Sequence, residues 1–237
     1  VSGRYLIIDS STPAGSLALC EDGQVLAEYL RRLPGTHTEW LLQAIDELLD
    51  QAGLRPDQLD AIAGVIGPGS FTGLRVGLAT VKGLAMAAGL PVVPLSSLEL
   101  LACGLPYAAE PVCALLDARK HEVYCGLFDL TDGIPAAITE EAVLPPEELA
   151  ARLEPPSLLV GEGAFAYRER FETLLSAGCL LAPRHLACPR AALAAELVAV
   201  RLQEKRTVDA ASLVPRYLRA SEAERARNME VSAGIDG

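Results

Sequence analysis

The chain has 237 residues, of which 51% are hydrophobic and 22% charged, and a formal net charge of −11. This length and apolar content exclude a disordered chain and suit one large domain or two lobes sharing a cleft. The negative charge argues against tight autonomous RNA binding, which needs a basic surface to neutralise phosphates. In chain order, Tyr5 to Asp9 is an apolar run ending in a carboxylate, followed by the turn residues Ser10-Ser11-Thr12-Pro13. Ser16 to Cys20 and Val25 to Leu30, separated by Glu21-Asp22-Gly23, complete a predicted three-strand antiparallel meander. Thr36 and Glu39 have capping-box spacing, and Leu41, Leu42, Ile45, Leu48, Leu49 and Ala52 follow with helical spacing up to Gly53. Ala61 to Ile66 suits a buried parallel strand. It enters Gly67-Pro68-Gly69-Ser70-Phe71-Thr72-Gly73 and a helix to Ala88, closed by Gly89-Leu90-Pro91. Val92 to Leu95 reads as a strand, and Ser96 to Glu99 forms a second capping box opening a helix to Cys103.

After Gly104-Leu105-Pro106 the pattern restarts. Val112 to Asp117 again ends an apolar run in a carboxylate, and Glu122 to Phe128 alternates like a hairpin partner. Leu158 to Gly161 and helices over 167–176 and 191–203 follow. Two halves that each open with strand, Asp, turn and strand suggest an internal duplication. The expected division is a first lobe over 1–103, a second over 104–220 whose last helix is free to pack back on the first, and a flexible tail over 221–237. No apolar run is long enough for a bilayer; the most apolar stretch, Leu78 to Leu95, is broken by Lys82 and two prolines. The opening Val-Ser-Gly-Arg has no signal-peptide pattern, so a cytoplasmic protein is expected. The six cysteines include no C-x-x-C pair and are expected to be free thiols.

The Gly67–Gly73 turn between strand and helix permits two readings: backbone N–H groups aimed at an anion, or a tight turn allowing close packing. It lacks the Lys of a Walker A loop, since Leu74 and Arg75 follow Gly73. Ser70 is no nucleophile elbow, because Pro68 and Thr72 stand where glycines are required. Gly69, Gly73 and Gly77 at four-residue steps, with Gly83 beyond, indicate that another backbone approaches this helix. Leu74, Leu78, Val81 and Ala85 form a stripe for the sheet. The opposite side, with Arg75, Ala79, Lys82 and Met86, suits either a partner helix or solvent. Asp9 and Asp117 are placed either to bind metal and phosphate or to cap their turns. His37, His121 and His185 are too far apart to read as a metal set.

Tyr5-Leu-Ile-Ile-Asp9-Ser-Ser-Thr12 and the stretch Ile66-Gly-Pro-Gly-Ser-Phe-Thr-Gly-Leu-Arg-Val-Gly77, continued through Lys82-Gly-Leu-Ala to Pro94-Leu-Ser-Ser97, resemble the TsaB (YeaZ-type) family. Asp117 to Tyr124 and Pro215-Arg-Tyr-Leu218 fit its later signatures, and the resemblance covers residues 5 to about 220. It implies an α/β, two-lobed actin/Hsp70-like (ASKHA, RNase H-like) fold with a mixed sheet and helices in each lobe. It also implies a non-catalytic role in making threonylcarbamoyladenosine in tRNA, paired with the catalytic relative TsaD and helping to recruit TsaE. TsaD-type proteins carry two metal-binding histidines at positions corresponding to Ser97 and Leu101, so no metal, other cofactor or catalytic residue is expected here. The resemblance assigns the partner contact to the first lobe, with Arg75, Val76, Ala79, Lys82, Gly83 and Met86 as its expected residues, and predicts a homodimer when the chain is alone. The competing functions are a metallo-glycoprotease-like hydrolase and an ASKHA-type ATPase.

Overall fold

The computed structural model describes residues 3–32 and 37–219. Strands β1 (Arg4–Asp9), β2 (Gly15–Glu21) and β3 (Gln24–Arg31) form the antiparallel meander. Helix α1 (His37–Gln51) leads to β4 (Ala61–Gly67), and α2 (Phe71–Ala88) leads to β5 (Val92–Ser96) and then α3 (Ser97–Ala102). Both β4 and β5 run parallel to the strand beside them, giving the order β3-β2-β1-β4-β5. The expected cap Thr36 and the tail 221–237 lie outside the described residues.

The second half repeats this connectivity. Strands β6 (Val112–Arg119) and β7 (Glu122–Asp129) form a hairpin, and the short β8 (Ala136–Ala137) and β9 (Ala142–Leu144) both pair with β7. Helix α4 (Pro146–Arg152), β10 (Leu158–Val160), α5 (Glu162–Ala166), α6 (Glu172–Ser176), β11 (Leu180–Leu181) and α7 (Ala195–Gln203) follow. With β10 parallel to β6 and β11 parallel to β10, the order is β11-β10-β6-β7-β8. Two sheets with one connectivity, each a meander followed by parallel strands through helical crossovers, make the RNase H-like unit twice. This is the two-lobed actin/Hsp70-like architecture.

The expected helix over 167–176 is divided. A 3-10 turn at Arg168–Phe171 precedes α6, and neither segment has a side-chain cap at its start. Likewise a 3-10 turn, Ala191–Ala194, precedes α7.

Packing follows the alternation of side chains along a strand. Leu6 and Ile8 face α1 and α2, where Leu41, Ile45, Leu48, Leu78, Val81 and Ala85 meet them. Tyr5 and Ile7 point the other way, onto Ala191, Ala194, Leu197 and Val198. The last helix in sequence therefore covers the first sheet. The exchange is mutual: Leu98, Leu101 and Ala102 of α3 pack on Val112, Ala114 and Leu116 of the second sheet. Each leucine buried in these crossings stabilises the fold by about 2 kcal/mol, so the crossed helices join the two sheets.

Candidate functional site

The loops after β1 and β6 line one cleft between the sheets. Ser11, Thr12, Pro13, Gly69 and Ser70 contribute from one side, and Asp117, Ala118, Arg119, Tyr124 and Glu162 from the other. Asp9 and Asp117 occupy equivalent places. Asp9 Oδ1 accepts from the Ser11 N–H at 2.9 Å, and Asp117 Oδ1 accepts from the Arg119 N–H at 2.8 Å. Both carboxylates therefore hold the turn that follows them. Asp117 also accepts from the Tyr167 hydroxyl at 3.1 Å and pairs with Arg119 at 3.2 Å.

Two hydroxyls of the first loop are spent inside the fold, while the buried Ser11 hydroxyl has no hydrogen-bond partner among the described residues. The Ser10 hydroxyl donates to the Gly73 carbonyl at 2.8 Å, and Thr12 Oγ1 donates to the Ala14 carbonyl at 2.9 Å. The Ser70 N–H donates to the Ser11 carbonyl at 2.7 Å, and the Gly73 N–H reaches Ser70 Oγ at 3.3 Å. A Cβ at Gly69 would collide with the Ser11 carbonyl, and one at Gly77 with the Ser10 hydroxyl. The glycine-rich turn is thus a close-packing device pressed on the first loop. Two of the N–H groups an anion would need are occupied.

Asp9 is fully buried, and its Oδ2 has no hydrogen-bond partner among the described residues. Burial raises its pKa to about 6. A carboxyl group raised above its unfolded value destabilises the fold while it is ionised, and the cost fades as pH falls from about 6 toward about 4. Asp9→Asn keeps an oxygen for the Ser11 N–H and removes the buried charge. It is expected to raise unfolding free energy at pH 8 by about 1–3 kcal/mol, with the gain lost near pH 4. Urea titrations at the two pH values check this, and a gain independent of pH would contradict it.

Ser97 and Leu101, where the resemblance places a histidine pair, are both engaged within the fold. Ser97 Oγ donates to the Pro68 carbonyl at 2.5 Å, and Leu101 is buried against the second sheet. Among the described residues no group of three or more His, Cys, Asp or Glu side chains is arranged to hold a metal ion. All six cysteines are free, five of them buried.

Helix α2 starts on the Ser70 N-cap and ends at Gly89, whose φ of 68° closes it in the left-handed region. Its inner face, Gly73, Leu74, Gly77, Leu78, Val81 and Ala85, is buried, matching the stripe read from spacing. The approach that Gly69 and Gly77 permit comes from the chain's own first loop; Gly83 alone among the α2 glycines is open to the outside. Of the six expected contact residues, Arg75, Ala79, Gly83 and Met86 are exposed, Met86 by 67%. Val76 is half-buried against the core, and the Lys82 ammonium donates to the Ala211 carbonyl at 3.3 Å. Sequence reasoning missed Phe71 and Tyr217 beside them. Their rings stack at 5.2 Å, with the Arg75 guanidinium 3.9 Å from the centre of the Phe71 ring. Phe71 carried a signal, being an aromatic residue in the first turn of a helix whose buried stripe begins at Gly73. Tyr217 stood out only within the Pro215-Arg-Tyr-Leu218 resemblance, which gives no sign that it meets Phe71.

Comparison with known proteins places these features in context. The family profile described as "TsaD: tRNA N6-adenosine threonylcarbamoyltransferase" matches residues 34–227. A Haemophilus influenzae protein named tRNA threonylcarbamoyladenosine biosynthesis protein TsaB is 37% identical, covering 90% of this chain and 92% of that protein. Its Bacillus subtilis namesake is 30% identical over 92% of this chain and 95% of that one. Among solved structures, YeaZ from Pseudomonas aeruginosa superposes with a TM-score of 0.80 at 34% identity, covering 91% of this chain and all of that chain.

Proposed function

The chain belongs to the TsaB (YeaZ) family, and on that premise we propose that it serves the biosynthesis of threonylcarbamoyladenosine in tRNA as a non-catalytic subunit. Its task is to pair with the TsaD-type transferase, one copy to one, and to help recruit the ATPase TsaE. It works in the cytoplasm, pairs with itself when the partner is absent, and leaves the main RNA contact to other subunits, in keeping with its net charge of −11. The observation that carries this reading is the fate of the histidine positions: Ser97 is bonded to the Pro68 carbonyl and Leu101 is part of the core. Neither side chain can take the place of an imidazole ligand, which supports a non-catalytic role.

What supports pairing is the outer face of α2 in the first lobe (residues 1–103). Ala79 and Gly83 keep the helix surface low over two turns, so that a second helix can approach closely. Arg75 and Met86 flank them as a fixed cation and a flexible apolar side chain. Val76 and Lys82 border this contact. Co-expression with the matching TsaD-type subunit, followed by size-exclusion chromatography with light scattering, tests the proposal. A stable one-to-one heterodimer that displaces the homodimer is expected. Failure to associate at micromolar concentrations would overturn the pairing and leave the family assignment intact.

A further inference from the structure

The segment after α7 returns along the first sheet and then crosses to the second. Val208 pairs with Val92 through two backbone hydrogen bonds of 3.0 and 2.8 Å. Ala210 and Leu213 are buried beside α1 and α2, and the Arg216 N–H donates to the Ile66 carbonyl at 2.8 Å. Up to this point residues 208–216 belong to the first lobe. The side chains of the next residues do not. The Arg216 guanidinium pairs with Glu141, next to β9 in the second lobe, whose side chain is only 8% exposed. The other oxygen of that carboxylate accepts from the Ser96 hydroxyl, the N-cap of α3, at 2.5 Å. Arg219 donates to the Ala118 carbonyl at 2.8 Å and pairs with Glu122, so it grips both strands of the β6–β7 hairpin.

The points gripped are the two walls of the cleft. Ile66 lies immediately before the Gly67–Ser70 turn that forms one wall, and Ala118 lines the other. We propose that residues 208–219 are a strap that pins the lobes together, with Arg216 and Arg219 as its pins, and that it holds the cleft at one fixed aperture. Both pins are shielded where they make contact. The Arg219 side chain is 12% exposed, and Arg216 meets a buried carboxylate. Removing either arginine leaves an acid or a carbonyl without its partner, so opening the lobes is opposed by more than a surface ion pair supplies. A two-lobed fold of this kind ordinarily moves by hinge closure over a ligand in its cleft. Here the segment that would have to stretch is bonded to both walls, and the result is a rigid platform.

Pulsed dipolar spectroscopy on the full chain tests the strap. Spin labels are placed at the exposed positions of Glu47→Cys in α1 and Glu169→Cys in the second lobe, in a Cys188→Ser background that removes the half-exposed thiol. The expected result is one narrow separation in this parent. With Arg216→Ala and Arg219→Ala together, the distribution should broaden and shift to longer distance. Arg219→Ala alone, which leaves the Glu141 junction in place, should move it in the same direction and serves if the double variant does not fold. An unchanged distribution in either folded variant overturns the proposal. So does a parent that already samples a broad range.

Discussion

Ala79→Arg is expected to abolish pairing with the TsaD-type subunit while leaving the fold of the isolated chain unchanged. Ala79 is exposed at the middle of the outer α2 face, one turn from Arg75 and one turn from Gly83. In the free chain a long cation there extends into water, and substitutions at such sites shift stability by about 0.5 kcal/mol or less. In a close helix–helix contact the same side chain must either be desolvated without a partner or hold the helices apart. Arg75, already a cation four residues earlier on this face, adds like-charge repulsion. The loss should be at least about 100-fold in affinity, equivalent to about 2.7 kcal/mol. Size-exclusion chromatography of the co-expressed pair reads the pairing, and a thermal melt of the lone chain reads the fold. Normal co-elution would remove α2 from the interface, and a collapsed melt would mean that Ala79 is structural.

The parts of the fold that were legible in the sequence are those governed by local periodicity. Leu74, Leu78, Val81 and Ala85 recur at the helical period, and all four are buried on the sheet. The Ser96 and Glu99 capping box was readable for the same reason, because its donors and acceptors lie within one turn. Helix α4 was missed although Pro146 stands at its first turn with Glu147 and Glu148 behind it, a start signal obscured by the adjacent Pro145. The crossing of α3 and α7 onto each other's sheets was illegible in principle. An apolar helical stripe states that a face is buried but not against which sheet.

The strap was hidden by distance. Arg216 and Glu141 are 75 residues apart, and Arg219 and Ala118 are 101 apart. The segment carrying the pins has neither a helical nor a strand period. At the candidate interface, spacing found the exposed face of α2 but did not say what approaches the glycines at its start and on its inner side. Gly69 and Gly77 signalled a close approach correctly, yet the approaching group is the chain's own Ser10–Ser11 loop. That loop is separated from them by α1 and β4, so only the tertiary fold identifies it.

The glycines of α2 lead to a second large effect, in which one substitution at two sites has opposite signs. Gly77 and Gly83 both lie inside the helix, where replacing glycine with alanine gains about 1 kcal/mol from propensity alone. At Gly83 a new methyl meets nothing within 4 Å, so Gly83→Ala should stabilise the lone chain by about that amount. At Gly77 the methyl would sit on the Ser10 hydroxyl, which is buried and already committed to the Gly73 carbonyl. The first loop must move, breaking that hydrogen bond and disturbing the contact between Ser11 and Gly69. Overpacking of about 1–3 kcal/mol adds to the loss of a buried hydrogen bond, and the sum exceeds the propensity gain. Gly77→Ala should therefore destabilise by about 2–4 kcal/mol. Denaturant titrations of the two variants against the parent give the two signs directly. A stabilised Gly77→Ala would mean that the first loop yields freely and is not clamped by α2. A destabilised Gly83→Ala would mean that the outer face of this helix is covered in the lone chain. In the pair with the transferase subunit the Gly83 substitution should reverse its sense, because the methyl that is free in solution then occupies the space left for the partner's helix.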